Sequence, residues 1–330
     1  MGAERERGTR GAPGEDAGAH PVELPVLILA GPTGAGKTDW AIRLAESAPV
    51  EILSVDSAQV YRGLDIGTAK PSRELRERIP HHLIDICEPT ESYSAGRFVS
   101  DALASIRGIH LRRRVPLLVG GTMLYLRSLL HGLAVLPPAD AQLRAELDAR
   151  AARCGWPALH AELARLDPES AARVAPADRQ RIQRALEVCY QTGRPISQLQ
   201  RANVSPLAGW PVHYWMLSPP RALLHERIVR RFTAMMDAGF LEEVVRLRRS
   251  GALTARHPSM RAVGYRQLWA HLDGQYPLEE AVRRAVAATR QLAKRQLTWM
   301  RGEALARPID PENELSWNRD ICNQLAELGL

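Results

Sequence analysis

Lysine is nearly missing from this chain. Of 44 basic residues only Lys37, Lys70 and Lys294 are lysines. The arginine surplus is explained by codon bias as readily as by function, so the three lysines mark positions to inspect. Cysteine is scarce too. Cys87, Cys154, Cys189 and Cys322 form no C-x-x-C pair, which leaves zinc and redox motifs without support and the thiols expected to be buried and reduced. No apolar run approaches the ~20 residues of a membrane span. Residues 1–24, rich in Gly, Ala, Arg and Glu, lack the apolar centre of a signal peptide. They are expected to be a disordered extension of a cytoplasmic protein with no membrane partner.

What is present is ordinary in bulk. The 330 residues are 45% hydrophobic and 25% charged, as in globular proteins. A net charge of +7 suits a polyanionic partner without proving one. Residues 25–30 (PVLILA) form a short apolar run ending in Gly31 and predict a buried parallel strand. A helix is predicted over 39–48, and further strands over 51–55 (EILSV) and 115–119 (VPLLV). Strands alternating with helices predict a doubly wound α/β core with a parallel sheet. From about 138 to 201, long Ala/Leu/Arg/Glu segments carry no strand candidate. A returning strand is predicted at 212–217 (VHYWML), and 279–301 is the longest helix candidate. The predicted organisation is therefore an extension (1–24), a first part of the core (25–137), an inserted all-helical subdomain (138–203), and a completing segment with basic helices (204–330).

Residues 31–38 read GPTGAGKT and fit the P-loop pattern G-x-x-x-x-G-K-[ST], directly between a predicted strand and helix. In such a loop the backbone of Gly31, Pro32, Thr33, Gly34, Ala35, Gly36, Lys37 and Thr38 wraps the phosphates, every residue but Pro32 having an N–H to give, and the helix N-terminus adds partial positive charge. Lys37 would neutralise terminal phosphate charge, and the Thr38 hydroxyl would ligate Mg²⁺. Kinases, NTPases and phosphate-releasing transferases all use this loop. An NTPase usually has an apolar strand ending in Asp. Here the strand at 115–119 runs into GGT, and the acid stands instead after the second strand, as Asp56 in LSVDSAQVY.

The motifs then converge. SVDSAQVYRGLDIGTAKP (54–71), PHHLIDI (80–86), YSAGRF (93–98), LLVGGTMLYLRSLL (117–130), DRQRIQRALEV (178–188), HPSMRAVGYRQLW (257–269) and ATRQLAKRQLTWMR (288–301) join the phosphate loop. Together they closely resemble the tRNA dimethylallyltransferase (tRNA isopentenyltransferase) family, in its bacterial form, from residue 25 to about 302. Gly34-Ala35 stands where the family often has Ala-Ser, and the Cys/His zinc module of some eukaryotic members has no counterpart here.

The resemblance implies transfer of a dimethylallyl group from dimethylallyl diphosphate to N6 of adenosine 37 in the tRNA anticodon loop, releasing diphosphate, with Mg²⁺ as cofactor. Asp56 matches the family's proposed base. It is expected at the end of a strand adjacent to the phosphate-loop strand, with a turn or N-cap role as the alternative. Thr33 would hydrogen-bond the donor's bridging oxygen. Arg231 resembles a diphosphate-binding arginine, though its neighbours Arg227 and Arg230 are hard to separate from it. By the same resemblance, tRNA contacts fall on Asp56, Ser57, Ala58 and Gln59; on Thr122, whose alternative is a helix N-cap; and on Arg144. In the insert they fall on Gln180, Arg181, Ile182, Gln183 and Arg184. Arg261, Ala262, Val263, Gly264, Tyr265 and Arg266 follow, with Tyr265 able to stack or hydrogen-bond. The last set is Lys294, Arg295, Gln296, Leu297, Thr298, Trp299, Met300 and Arg301. Within these spans Ile182, Leu297 and Trp299 are expected to pack, not to touch RNA. Residues 281–302 hold six basic and no acidic side chains, and Arg290, Lys294 and Arg301 share a helical face. A monomer is expected, since one chain's two parts can hold an anticodon arm. Three other readings are an isopentenyltransferase for free AMP or ADP, a P-loop kinase, and a nucleotide-gated RNA-binding protein.

Overall fold

A computed structural model describes residues 24–134, 136–200, 204–310 and 313–330. Of the segment expected to be an extension, only Leu24 lies among them, and it is buried; the rest of that expectation falls outside the described residues.

The apolar runs pair into one sheet. β1 (Val26–Ala30), β2 (Val50–Val55), β3 (His81–His82), β4 (Val115–Gly120), β5 (Val212–Leu217) and β6 (Arg307–Ile309) stand in the order β3-β2-β4-β1-β5-β6, all parallel. Such a sheet is covered on both faces, which is why its strands read as unbroken apolar runs. In β1, Val26, Ile28 and Ala30 enter one core, and Leu27 and Leu29 the other. One expectation is corrected here. β2 is not the neighbour of β1, because β4 lies between them. Strand order is set by crossover connections, which local sequence does not reveal. The gap is bridged by glycine: a Cβ on Gly120 would lie 2.1 Å from the Val55 carbonyl oxygen.

Helices follow each strand. α1 (Lys37–Ser47) leaves the phosphate loop two residues earlier than predicted. α2 (Arg73–Arg78), α3 (Ala95–Leu111) and α4 (Met123–His131) complete the first part of the core. α5 (Ala141–Cys154), α6 (Trp156–Leu166), α7 (Pro168–Arg173), α8 (Arg179–Thr192) and α9 (Ile196–Leu199) occupy the segment read as an insert. They close over their own apolar cluster, with Leu147, Leu159, Leu163, Ile182 and Leu186 fully buried. Two buried acids tie them. Asp167 accepts from the N–H and hydroxyl of both Ser170 and Ser197, at 2.7–3.0 Å. Burial alone would raise its pKa; these bonds outweigh it and hold the carboxyl below the usual range. Glu187 does the same with Asp140 N–H, Arg144 and Arg184.

The remaining helices are α10 (Arg221–Asp237), α11 (Phe240–Arg249), α12 (Tyr265–Leu272), α13 (Leu278–Arg301) and α14 (Glu314–Glu327). α13 matches the longest predicted helix. α14 packs Trp317 and Ile321 beside Trp40 and Leu44 of α1 on one sheet face, while α3, α4, α12 and α13 cover the other. Among the described residues no helix is long and apolar enough to cross a membrane.

Candidate active site

In an open parallel sheet, ligands bind beyond the carboxyl ends of the strands. Three segments meet there: the phosphate loop after β1, Asp56 after β2, and Gly121-Thr122 after β4. Gly34 (φ 85°) and Gly36 (φ 93°) hold the loop in left-handed backbone open to glycine alone at little cost. Lys37 folds across the loop, its Nζ donating to the carbonyls of Gly31 and Pro32 at 2.9 Å each. Burial, and after it Arg231, push this ammonium down to about 8 against the opposing pull of Asp56. Thr38 is exposed at the start of α1.

Asp56 is a turn residue in part. Its Oδ1 accepts from Ala58 N–H at 2.8 Å and from Gln59 N–H at 3.4 Å. Among the described residues no hydrogen bond reaches Oδ2. Arg231, on α10, is nearly buried and donates to the Thr68 carbonyl at 3.3 Å; burial lowers its pKa and Asp56 opposes. Sequence left three arginines unresolved, and the structure separates them. Arg231 turns inward to Asp56, while Arg227, within 3.4 Å of the Ala35 carbonyl, and Arg230 line the outer part of the site.

Two cavities result. One, of about 720 Å³, is lined by the phosphate loop, Asp56, Gln59 and the three arginines. The other, of about 580 Å³, is lined by Ser57, Ala58, Thr122, Arg181, Arg261, Ala262, Val263, Arg295 and Trp299, with Ile228, Phe232, Met235 and Leu292 as its apolar wall. Thr33, Asp56, Thr68, Gly121, Arg231 and Gln296 line both, and so form the neck between them.

Residues that sequence reasoning missed hold this neck. Glu243 of α11, almost fully buried, accepts from the N–H groups of Asp65, Ile66 and Gly67 at 2.8–3.2 Å and from Tyr265 O–H at 2.5 Å. It fixes the loop that carries Thr68. Lys70, one of the three lysines marked in the sequence, is buried and ties Asp65 of the same loop to Asp85 and the Tyr61 carbonyl. The apolar wall was legible as the i, i+4, i+7 spacing of Ile228, Phe232 and Met235, on the helix that carries Arg231.

Several expected RNA contacts are corrected. Tyr265 is fully buried and is spent on Glu243, and Gly264 packs on the Phe240 ring. Met300 is a core residue as well, while Ile182, in the core, and Leu297, partly buried beside Leu224 and Ile228, pack as expected. These side chains cannot meet RNA because apolar packing has claimed them. Arg144 and Arg184 are both engaged by Glu187, and Gln183 by Asp148. Trp299 departs the other way. Expected to pack, it is 39% exposed, with the Arg127 guanidinium 5.6 Å from its ring centroid. Thr122 occupies the N-cap position of α4 but makes no side-chain cap; its hydroxyl accepts from Ser57 N–H at 3.1 Å instead. Gln180, Arg181, Arg261, Arg266, Lys294, Arg295, Thr298 and Arg301 are exposed.

Comparison with known proteins places this arrangement. A family model for IPP transferase matches residues 59–303, and one for isopentenyl transferase matches residues 24–83. The chain is 58% identical to a tRNA dimethylallyltransferase of Alkalilimnicola ehrlichii over 84% of its length and 88% of the relative's. It is 57% identical to one of Bordetella petrii, over 84% and 90%. Among solved structures, the tRNA isopentenylpyrophosphate transferase of Bacillus halodurans superposes with a TM-score of 0.67 at 36% identity, covering 92% of this chain and 98% of that one. A eukaryotic dimethylallyltransferase captured acting on tRNA superposes at 0.74 with 27% identity, over 87% and 74%.

Proposed function

The chain belongs to the IPP transferase family, and from that premise we propose that its two joined cavities bring together dimethylallyl diphosphate and an adenine of tRNA. It is a transferase that prenylates N6 of adenosine 37 and releases diphosphate. The observation that carries this reading is the neck, where the Asp56 carboxylate, the Arg231 guanidinium and Thr33 of the phosphate loop face a second, arginine-rich cavity. The first cavity takes the diphosphate and the second takes the flipped base.

The chemistry follows from the residues. The exocyclic amine is a weak nucleophile because its lone pair is delocalised into the ring. As N6 bonds to C1 of the prenyl group, the C1–O bond breaks and its electrons leave with the diphosphate. Asp56 Oδ2 takes the N6 proton. Loop amides, Lys37 and Arg231 stabilise the charge that grows on the leaving oxygens, and the Thr33 hydroxyl would donate a hydrogen bond to the bridging oxygen. Ile228, Phe232 and Met235 give the five-carbon tail an apolar wall.

Mg²⁺ is part of the proposal. Among the described residues no cluster of three or more His, Cys, Asp or Glu could cage a metal. That suits an ion held by one hydroxyl, substrate phosphates and water. Thr38 would hold it, and its chemistry would be neutralisation of diphosphate charge.

RNA binding would rest on the exposed set: Arg181, Arg261, Arg266, Lys294, Arg295, Thr298, Trp299 and Arg301, with Thr122 and Ser57 at the mouth. One chain supplies both cavities, which supports a monomer, and its tRNA substrate would put it in the cytoplasm. An acceptor as small as AMP leaves the arginines of the second cavity without a purpose. Trp299→Ala is expected to weaken binding of an anticodon stem-loop by about 1–3 kcal/mol, the scale of one lost stacking partner. Filter binding at fixed salt measures it; an unchanged Kd would remove Trp299 from the interface.

The reading itself is tested with radiolabelled dimethylallyl diphosphate, Mg²⁺ and an anticodon stem-loop carrying adenine at position 37. Parallel reactions hold guanine there, free AMP, or ATP as donor. Label on the adenine loop alone is expected. Label on AMP would make the acceptor a free nucleotide, and ATP consumption without label would make the protein a kinase or NTPase.

A further inference from the structure

Gln296 stands among residues assigned to RNA by resemblance, yet its side chain points the other way. Its Oε1 accepts from the Thr33 N–H at 2.9 Å, and its Nε2 donates to the Gly121 carbonyl at 2.8 Å. One amide thus joins the phosphate loop after β1 to the end of β4. Both ends of the group are engaged, the side chain is partly buried, and it lines both cavities at the neck.

The surroundings are fitted to it. A Cβ on Gly121 would lie 2.5 Å from Gln296 Nε2 and 2.8 Å from the Gly31 carbonyl oxygen. Gly121 does not have positive φ, so the glycine is needed for space and not for backbone freedom. The second glycine of GGT makes room for this amide as the first does for Val55. The contact also takes the Thr33 N–H out of service for phosphate, and this fixes how the Thr33 hydroxyl is presented at the neck. The neighbours of Gln296 on α13, Lys294, Arg295, Thr298 and Trp299, are exposed. One helix therefore carries an outward RNA-facing flank and an inward contact to the donor loop.

We propose that Gln296 is a positioning residue for prenyl transfer: its amide sets the phosphate loop, through Thr33, at the height where the donor's reacting carbon meets the base, and it does not bind RNA. This rests on the two-cavity reading of the site. An RNA contact and a positioning residue differ in what their loss changes. Losing an RNA contact raises the tRNA Kd and leaves turnover at saturating tRNA alone. Losing loop placement lowers turnover with tRNA bound, because a displacement of about 1 Å can cost roughly 10²-fold.

The experiment uses the full chain as Gln296→Met, close to glutamine in length but without its polar atoms, and as Gln296→Glu, which keeps the acceptor for Thr33 and loses the donor for Gly121. Three quantities are read: kcat at saturating stem-loop, stem-loop Kd, and binding of inorganic diphosphate without RNA. Expected for Gln296→Met are a kcat lower by roughly 10–100-fold, a stem-loop Kd within about twofold, and diphosphate binding weaker by about tenfold. Gln296→Glu is expected to fall in the same direction, and it stands in if the methionine variant does not fold. A raised stem-loop Kd with unchanged kcat would make Gln296 an RNA contact, and no change in any quantity would make the amide bridge idle; either overturns the proposal. Should the unaltered protein transfer no label, the two-cavity reading fails, while the diphosphate titrations still decide whether the amide sets the loop.

Discussion

Asp56→Asn is expected to lower turnover by ~10²–10⁴-fold, the usual contribution of a positioned general base, while the stem-loop Kd stays within about twofold. Asparagine is the informative change because Asp56 does two jobs. Its Oδ1 closes the turn to Ala58 and Gln59, and an asparagine carbonyl oxygen keeps that bond. Oδ2, open at the neck, is the atom replaced by an amide that cannot take a proton. Asp56→Ala removes both jobs and is expected to be at least as slow, with some loss of stability from the opened turn. Single-turnover label transfer at saturating RNA measures the effect. If Asp56→Asn turns over like the unaltered protein, Asp56 is only a turn residue and the N6 proton goes elsewhere.

Lys37→Met is expected to reduce kcat/KM for dimethylallyl diphosphate by ~10²–10³-fold, as for other preorganised charge-stabilising donors. It also provides a pH signature. Without donor, burial and Arg231 bring the ammonium to about 8. The diphosphate prefers the charged lysine, so binding raises this pKa and draws in protons. The sign follows: donor affinity is full below about 8 and declines as pH rises through and beyond it. The KM for the donor, measured from pH 7 to 9.5, is expected to climb in the unaltered protein and stay flat in Lys37→Met. A climb that survives in the variant would assign the titration to another group.

These predictions begin with features that were open in the sequence. β1, the phosphate loop and the start of α1 are adjacent, and their signals (an apolar run, glycines, a lysine) are local. Asp56 stood out for the same reason. Its surroundings did not, because the order of β2, β4 and β1 arises from crossovers and from Gly120 meeting Val55. The RNA face was legible in composition but not residue by residue. Tyr265 looked like a stacking side chain in RAVGYR, though its spacing with Leu268 and Trp269 is that of a buried helical stripe. The ion pair between Arg144 and Glu187 was hidden because 43 residues separate them in sequence. Trp299 was misjudged in the opposite sense, since an aromatic residue on an amphipathic helix is packed more often than it is exposed.

The neck between the cavities also sets terms for inhibition. On the proposed reading the diphosphate and the base fill different cavities that join along Thr33, Asp56 and Arg231, so neither would displace the other. A single molecule carrying a diphosphate at one end and an adenine at the other, joined by a linker of prenyl length, would place its second half at a high effective concentration once the first half is bound. Its affinity would exceed that of either fragment without any contact the two substrates do not already make, and a kinase or free-nucleotide enzyme lacking the second cavity would gain nothing from the link.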